Sequence, residues 1–294
     1  MRLISRVFLL LAAALLLFSG TLLPASAAPP IGGATDAGRI GAPPKEFTPP
    51  PRPNTPATRS ALARTEVRKF TFDVQPYRYW YAWAYCPAGM VATGGGAYAE
   101  WDGGPELKAT RALDAGAGWR VTVANYTNTV RSVTMQVICY SGLSNYNIRT
   151  ATILAHPNAI AAGGAQCTSG QVIGGGAWAD TDNTTLVRLQ PLQAENRYWT
   201  ALRNNDAVTR TLTVQSICAD GLGYLTYDWS PATSVFPGGR LYISAGCPDG
   251  KTILSGGAIG TLIHADVLSN RWYATLRNDQ PDFQTLYATI LCGT

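Results

Sequence analysis

Charge is scarce in this chain. Asp, Glu, Lys and Arg make up 14% of its 294 residues, against roughly a quarter in ordinary soluble domains. Only four lysines and two histidines occur. The formal net charge of +5 is not gathered into a Lys/Arg cluster, which argues against a nucleic-acid partner. His156 and His264 stand in no metal-ligand spacing, so neither a metal site nor a cofactor is expected. There is no G-x-S-x-G nucleophile elbow and no G-x-G-x-x-G opening a helix. A sustained 3.6-residue period is also lacking outside the N-terminal segment, which excludes a helical fold.

The one long apolar run lies at the start. Arg2 and Arg6 precede an apolar stretch from Val7 to Phe18, and Ala25-Ser26-Ala27 supplies small residues. This is the pattern of a secretory signal peptide over residues 1–27, with cleavage after Ala27. No later segment offers the roughly 20 apolar residues of a membrane span. The expectation is therefore a secreted, extracellular protein without a transmembrane segment. Residues 28–65 read as a linker, since nine of the 19 prolines fall between residues 29 and 58 and no hydrophobic period is visible.

What the chain has in quantity is glycine, 30 in all, and part of it recurs in a pattern. Cys86-Pro87-Ala88-Gly89 is followed by Gly94-Gly95-Gly96-Ala97. Cys167-Thr168-Ser169-Gly170 is followed by Gly174-Gly175-Gly176-Ala177, and Cys247-Pro248-Asp249-Gly250 by Ser255-Gly256-Gly257-Ala258. Each copy then reaches a tryptophan (Trp119, Trp199, Trp272) and, six residues on, an asparagine (Asn125, Asn205, Asn278). A closing cysteine (Cys139, Cys218, Cys292) comes 13 or 14 residues later. The third copy is eight residues shorter between glycines and tryptophan, which marks a loop or hairpin there.

Segments such as "YWYAWAYC", "WRVTVAN" and "SVTMQVIC" are rich in aromatic and β-branched residues and are bounded by turn residues. The reading is an all-β fold with five or six strands per copy. Three tandem repeats of about 75–80 residues, over 66–146, 147–224 and 225–294, would be related by pseudo-threefold symmetry. They would form either a β-prism-like body or three adjoining small β-sandwiches. Six cysteines in an exported chain read as three disulfides. In the closing strands the cysteine shares a face with the apolar residues, which favours Cys86–Cys139, Cys167–Cys218 and Cys247–Cys292, one per repeat. Bridges between copies are the alternative. Each loop so closed is worth ~4 kcal/mol in the chain-entropy model.

The glycine runs admit three readings. "GCPDGKT" comes nearest to a phosphate loop, but its lysine is one position early and has no counterpart in the other copies. Bare backbone beneath a flat ligand is a second reading. Architecture is the third and the favoured one: glycine within a strand marks a bulge, a bend or a close approach, and the recurring tryptophan is an obvious partner. Recurrence likewise assigns Trp119, Trp199 and Trp272 to the core, and Asn125, Asn205 and Asn278 to turns or caps. The candidate ligand residues are those that do not recur: Trp101 and Asp102 in "AEWDGG", and Trp178, Asp180, Asp182 and Asn183 in "AWADTDN". A tryptophan beside acids and amides can stack on a sugar and hydrogen-bond its hydroxyls. "DTDN" lacks the glycine and distal glutamate of a calcium loop.

The Cys-x-x-Gly start, glycine run, tryptophan and closing cysteine resemble the glycine-rich modules of exported actinobacterial proteins, a group that brings no activity with it. More distantly, three Cys-Pro-x-Gly-type β repeats are similar to the vitelline membrane outer layer family, although these copies are longer and the glycine run is not that family's pattern. That resemblance implies a threefold β-prism and carbohydrate binding. The leading expectation is a non-catalytic binding protein for glycan or other cell-surface or matrix material. The alternatives are a structural envelope component, a protein-binding inhibitor, or a polysaccharide hydrolase with an acidic site drawn from Asp102, Glu106, Asp180 and Asp182.

Overall fold

A computed structural model describes residues 64–99 and 104–294, all within one compact unit. The expected signal peptide, the expected linker up to residue 63, Trp101 and Asp102 lie outside the described residues. The first repeat gives β1 (Thr65–Val74), β2 (Arg78–Tyr85), β3 (Val91–Ala99), β4 (Glu106–Ala112), β5 (Gly118–Asn125) and β6 (Arg131–Tyr140). The second gives β7 (Ser144–Ala155), β8 (Ile160–Gln166), β9 (Gln171–Ala179), β10 (Thr184–Leu192), β11 (Arg197–Asn204) and β12 (Arg210–Asp220). The third gives β13 (Thr226–Trp229), β14 (Thr233–Val235), β15 (Arg240–Gly246), β16 (Thr252–Ile259), β17 (Thr261–Leu268), β18 (Arg271–Arg277) and β19 (Gln284–Gly293).

The first two repeats have six strands each, within the expected five or six, and the third has one more because its first strand is interrupted at Ser230-Pro231. Proline has no N–H to donate to a ladder. The Ser230 hydroxyl accepts from Ala288 N (2.9 Å) beside the break. The boundary expected at 146/147 falls inside β7, which starts at Ser144. Asn145 takes positive φ there, so a residue type that reads as a turn is a local kink within the strand. The eight residues missing from the third copy are shared between two connections. Gly260 alone joins β16 to β17, and Ser269-Asn270 alone joins β17 to β18.

Every repeat has one wiring. Its first, last and third strands form one antiparallel sheet (β1-β6-β3), and its second, fifth and fourth form another (β2-β5-β4). The two sheets face each other as a small sandwich, tied by disulfides Cys86–Cys139, Cys167–Cys218 and Cys247–Cys292, with Cα separations of 5.6–5.7 Å. Sheets also continue from repeat to repeat. The order β2-β5-β4-β9-β12-β7 makes one face, and β8-β11-β10-β16-β19-β13 makes the next. On the third, β17 packs alongside β3, closing the ring of repeats. The sandwich and prism expectations thus describe the same body: three sandwiches whose sheets are shared as three faces about a pseudo-threefold axis.

The glycines are where these faces meet. At the first position of each run, Gly94, Gly174 and Ser255 converge on the axis; a Cβ on Gly174 would lie 1.9 Å from the Thr93 carbonyl oxygen. The second glycine receives an aromatic ring: Trp119 on Gly95, Tyr198 on Gly175 and Trp272 on Gly256. The third glycine lets the neighbouring repeat come close. Cβ positions on Gly176 and Gly257 fall 2.0 Å from the carbonyl oxygens of Thr110 and Leu189, and that on Gly96 falls 2.6 Å from Ala265 Cβ. Opposite Gly176, Gln215 reaches across and exchanges hydrogen bonds with the Ala112 backbone, accepting from its N (2.8 Å) and donating to its carbonyl (3.3 Å).

One core assignment is corrected. In the second repeat the ring on glycine is Tyr198, which is 1% exposed, and Trp199 is only partly buried beneath Arg197. Adjacent strand residues point to opposite faces, so only one of these two rings can enter the sandwich. The recurring asparagine shifts with it, from Asn205 to Asn204. Asn125, Asn204 and Asn278 are buried, and each side-chain amide donates to carbonyls at the end of the repeat's first strand and in the turn before its last. Asn205 instead donates to Thr185 Oγ1 (3.0 Å).

Candidate functional site

Conserving the inner sides of the three faces leaves their outer sides free to differ. The first face carries Tyr81 and Trp83 from β2, Arg120 from β5, Arg111 from β4 and Trp178 from β9. All of them alternate with buried residues such as Ala82, Trp119, Ala112 and Ala177. On the second face the places of Arg111, Arg120 and Trp178 fall to Gln190, Trp199 and Ile259. On the third they fall to Asp266, Tyr273 and Tyr98, with Tyr242 in the place of Tyr81. The three faces share a frame and differ in chemistry: cationic and aromatic, mixed, and acidic and aromatic.

The structure places the described sequence candidates around the first face and shows them already engaged. The Arg111 guanidinium sits over the Trp178 ring at 4.2 Å. Asp182 accepts from the Tyr81 hydroxyl. Burial, and then that hydrogen bond, push the Tyr81 phenol above its ordinary value. Asn183 donates to Asp206 (2.7 Å), and Asp180 is exposed with its backbone N held by Thr211 O (3.1 Å). Trp178 is therefore brought together with Arg111 and Asp182 with Tyr81, while Asn183 and Asp180 face other partners.

The third face instead holds a cleft of about 260 Å³. Tyr98, Tyr242 and Tyr273 line it together with His264, Asp266 and Thr275. Tyr242 and Tyr273 stack with ring centroids 5.5 Å apart. Asp266 pairs with Lys69 (3.2 Å), whose ammonium also lies 5.3 Å from the Tyr98 ring centre. These residues come from the first and third repeats, and nothing local in the sequence joins them. Tyr98 had a signal: it follows Gly-Gly-Gly-Ala at the position where Trp178 does.

His264 is buried, and its Nε2 lies 2.8 Å from the Pro105 carbonyl. A carbonyl only accepts, so in the neutral ring Nε2 carries the proton. Burial pulls its pKa below the usual 6.5, aided by Arg240 and opposed by the Pro105 bond and Glu106. Below 6.5 the unfolded chain then binds the proton that the folded one refuses, so stability rises with pH through that window and is lost as pH falls through it. We expect the urea midpoint of the protein to fall between pH 7.5 and 5.5, and that of His264→Gln to fall less. Parallel curves for the two would refute this.

An ion cluster joins the first and third repeats. Glu106 pairs with Lys108 (2.9 Å) and with Arg277, which also holds Asp279. Burial raises the Glu106 pKa, but the two cations outweigh it and keep the carboxyl below its ordinary value. Among the described residues no group of three or more His, Cys, Asp or Glu side chains is arranged to hold a metal, and no helix is long and apolar enough to cross a membrane. No family model matches this chain, and no curated protein matches it.

Proposed function

We propose that this is a secreted, non-catalytic carbohydrate-binding protein, and that the cleft on the third face holds the sugar. The observation that carries the reading is the cleft's composition. Three tyrosine rings supply flat apolar walls with polar tips, the combination that a sugar's C–H face and hydroxyls match. Asp266, oriented by Lys69, offers a fixed acceptor for two neighbouring hydroxyls. A disulfide-tied β body holds these groups before the ligand arrives, which lowers the ordering cost of binding. The signal-peptide pattern and three disulfides accord with an extracellular setting.

The test is a glycan array on the full disulfide-bonded protein, followed by calorimetry on the best binder. Tyr273→Ala and Asp266→Asn are each expected to weaken binding at least tenfold, with the melting temperature little changed. Retained affinity in both variants would move the site elsewhere. Turnover of a bound oligosaccharide, lost in Asp266→Asn, would overturn the non-catalytic reading in favour of hydrolysis.

A further inference from the structure

The repeats meet at three seams of one design, and one seam is built differently. At each, the first strand of one repeat reaches the start of a neighbour's glycine-bearing strand. Where β7 meets the first repeat, Tyr146 lies against Gly116 and donates to the Ala92 carbonyl (2.7 Å). Where β13 meets the second repeat, Tyr227 donates to the Val172 carbonyl (3.0 Å). Ala92 and Val172 hold one position: two residues before the glycine run, opposite Cys139 and Cys218, at the edge of a bulge. Ile253 holds that position in the third repeat, opposite Cys292 and beside the same bulge, so its carbonyl is presented in the same way.

At this third seam β1 brings no ring. By register against the closing strands, the places of Tyr146 and Tyr227 fall to Thr65 and Val67. Thr65 instead hydrogen-bonds Thr252 Oγ1 (3.0 Å), and among the described residues no side chain donates to the Ile253 carbonyl. What results is a groove of about 530 Å³ between β1, the start of β16 and the β17–β18 turn. Val67, Ile253, Val267 and Leu268 line it, and Leu268 is 54% exposed. Asn270 fixes the turn, accepting from Ile253 N (2.8 Å) and donating to the Lys251 carbonyl (2.7 Å). We propose that this groove binds a small phenolic compound, whose ring packs on Val67 and Leu268 and whose hydroxyl donates to the Ile253 carbonyl. The other two seams supply the template, since each seats a phenol on the equivalent carbonyl. A ring without a hydroxyl would cover the carbonyl and leave its bond unmade. The groove meets the third-face cleft at the Lys69–Asp266 pair, and the proposal stands whether or not that cleft binds sugar.

The probes are p-cresol, toluene and the tripeptide Gly-Tyr-Gly, titrated against the intact disulfide-bonded protein by ligand-observed NMR. We expect p-cresol to bind about fivefold more tightly than toluene, as one added hydrogen bond allows, and more tightly than the tripeptide. Val67→Tyr, which restores a ring where β13 has Tyr227, should lose p-cresol binding at least tenfold and melt at or above the parent temperature. Leu268→Asp should also lose at least fivefold, and it serves if Val67→Tyr does not fold. Tyr273→Ala, in the neighbouring cleft, should bind p-cresol as the parent does, which separates the two sites. The proposal is overturned if p-cresol does not bind, if toluene binds as well, or if the folded Val67→Tyr and Leu268→Asp proteins bind as the parent does. Loss of binding in Tyr273→Ala would place the phenol in the cleft instead. Tighter binding of Gly-Tyr-Gly would assign the groove to a tyrosine-bearing peptide and likewise overturn it.

Discussion

Gly176→Ala is expected to unfold the protein or to lower its melting temperature by more than 10 °C. The added methyl would sit 2.0 Å from the Thr110 carbonyl oxygen and 3.0 Å from Arg111 Cα. Both are backbone atoms of β4, which is laddered to β5 and bonded to Gln215 through Ala112, so no flexible side chain can yield. Relief requires parting the first repeat from the second, which exposes the composite face and strands Gln215. A loss of about 4 kcal/mol or more belongs to the rare class of severe substitutions and is a large part of the 5–15 kcal/mol typical of whole domains. Gly250→Ala is the contrast. No atom lies within 4 Å of its Cβ position, and φ is +75°. The cost there is the left-handed backbone alone, about 1–2 kcal/mol. Melting curves of the two variants decide the matter. If Gly176→Ala melts within a few degrees of the parent, the close-approach account of the third glycine fails.

The glycine runs could be read as architecture because a close approach leaves its mark on the strand that must yield: three copies lack side chains at one place. What they approach was only partly legible. A tryptophan against the glycine run was foreseen, and Trp119 and Trp272 do pack there, on Gly95 and Gly256, although Tyr273 stands beside Trp272. "Arg197-Tyr198-Trp199" offers two rings, and aligning on tryptophan chooses the wrong one. The interval to the closing cysteine held the answer. From Asn125, Asn204 and Asn278 it is 14 residues each time, whereas from Asn205 it is 13. The groupings on the outer faces were beyond reach for a different reason, although Trp178 was itself a candidate. Trp178 meets Arg111, and Tyr98 lies in one cleft with Tyr273, through contacts between strands of different repeats. Periodicity within a strand says which side a residue faces, but not which strand of another repeat lies beside it. Of the described candidates found by composition, Trp178 lies in β9 while Asp180, Asp182 and Asn183 follow it in a loop, where Asp182 meets Tyr81 of β2 and Asn183 meets Asp206 of a nearby turn.

The register in the second repeat can be tested by a pair of neighbouring substitutions. Asn204→Asp is expected to cost about 4 kcal/mol and Asn205→Asp about 1 kcal/mol or less. The Asn204 amide donates to the carbonyls of Ala155, His156 and Val208 at 2.8–3.1 Å, and its Oδ1 accepts from Asp206 N. A carboxylate there keeps the acceptor and removes every donor. Three carbonyls then face a buried negative charge, and each loses a partner that water cannot replace without opening the turn. At Asn205 the same change removes one hydrogen bond, to Thr185 Oγ1, from a partly buried side chain. Each kcal/mol moves the melting point of a body this size by roughly 2–4 °C, so the two variants should separate by about 10 °C at pH 7. The pH dependence gives a second readout. Burial against carbonyls raises the pKa of the new carboxyl above its unfolded value, so the folded state binds the proton more tightly. The deficit of Asn204→Asp relative to the parent should therefore narrow as pH falls from 7 toward 4, when the acid regains one O–H donor. If Asn205→Asp is the more damaging of the two, the asparagine that locks the turn is Asn205 and the ring on Gly175 must be sought at Trp199.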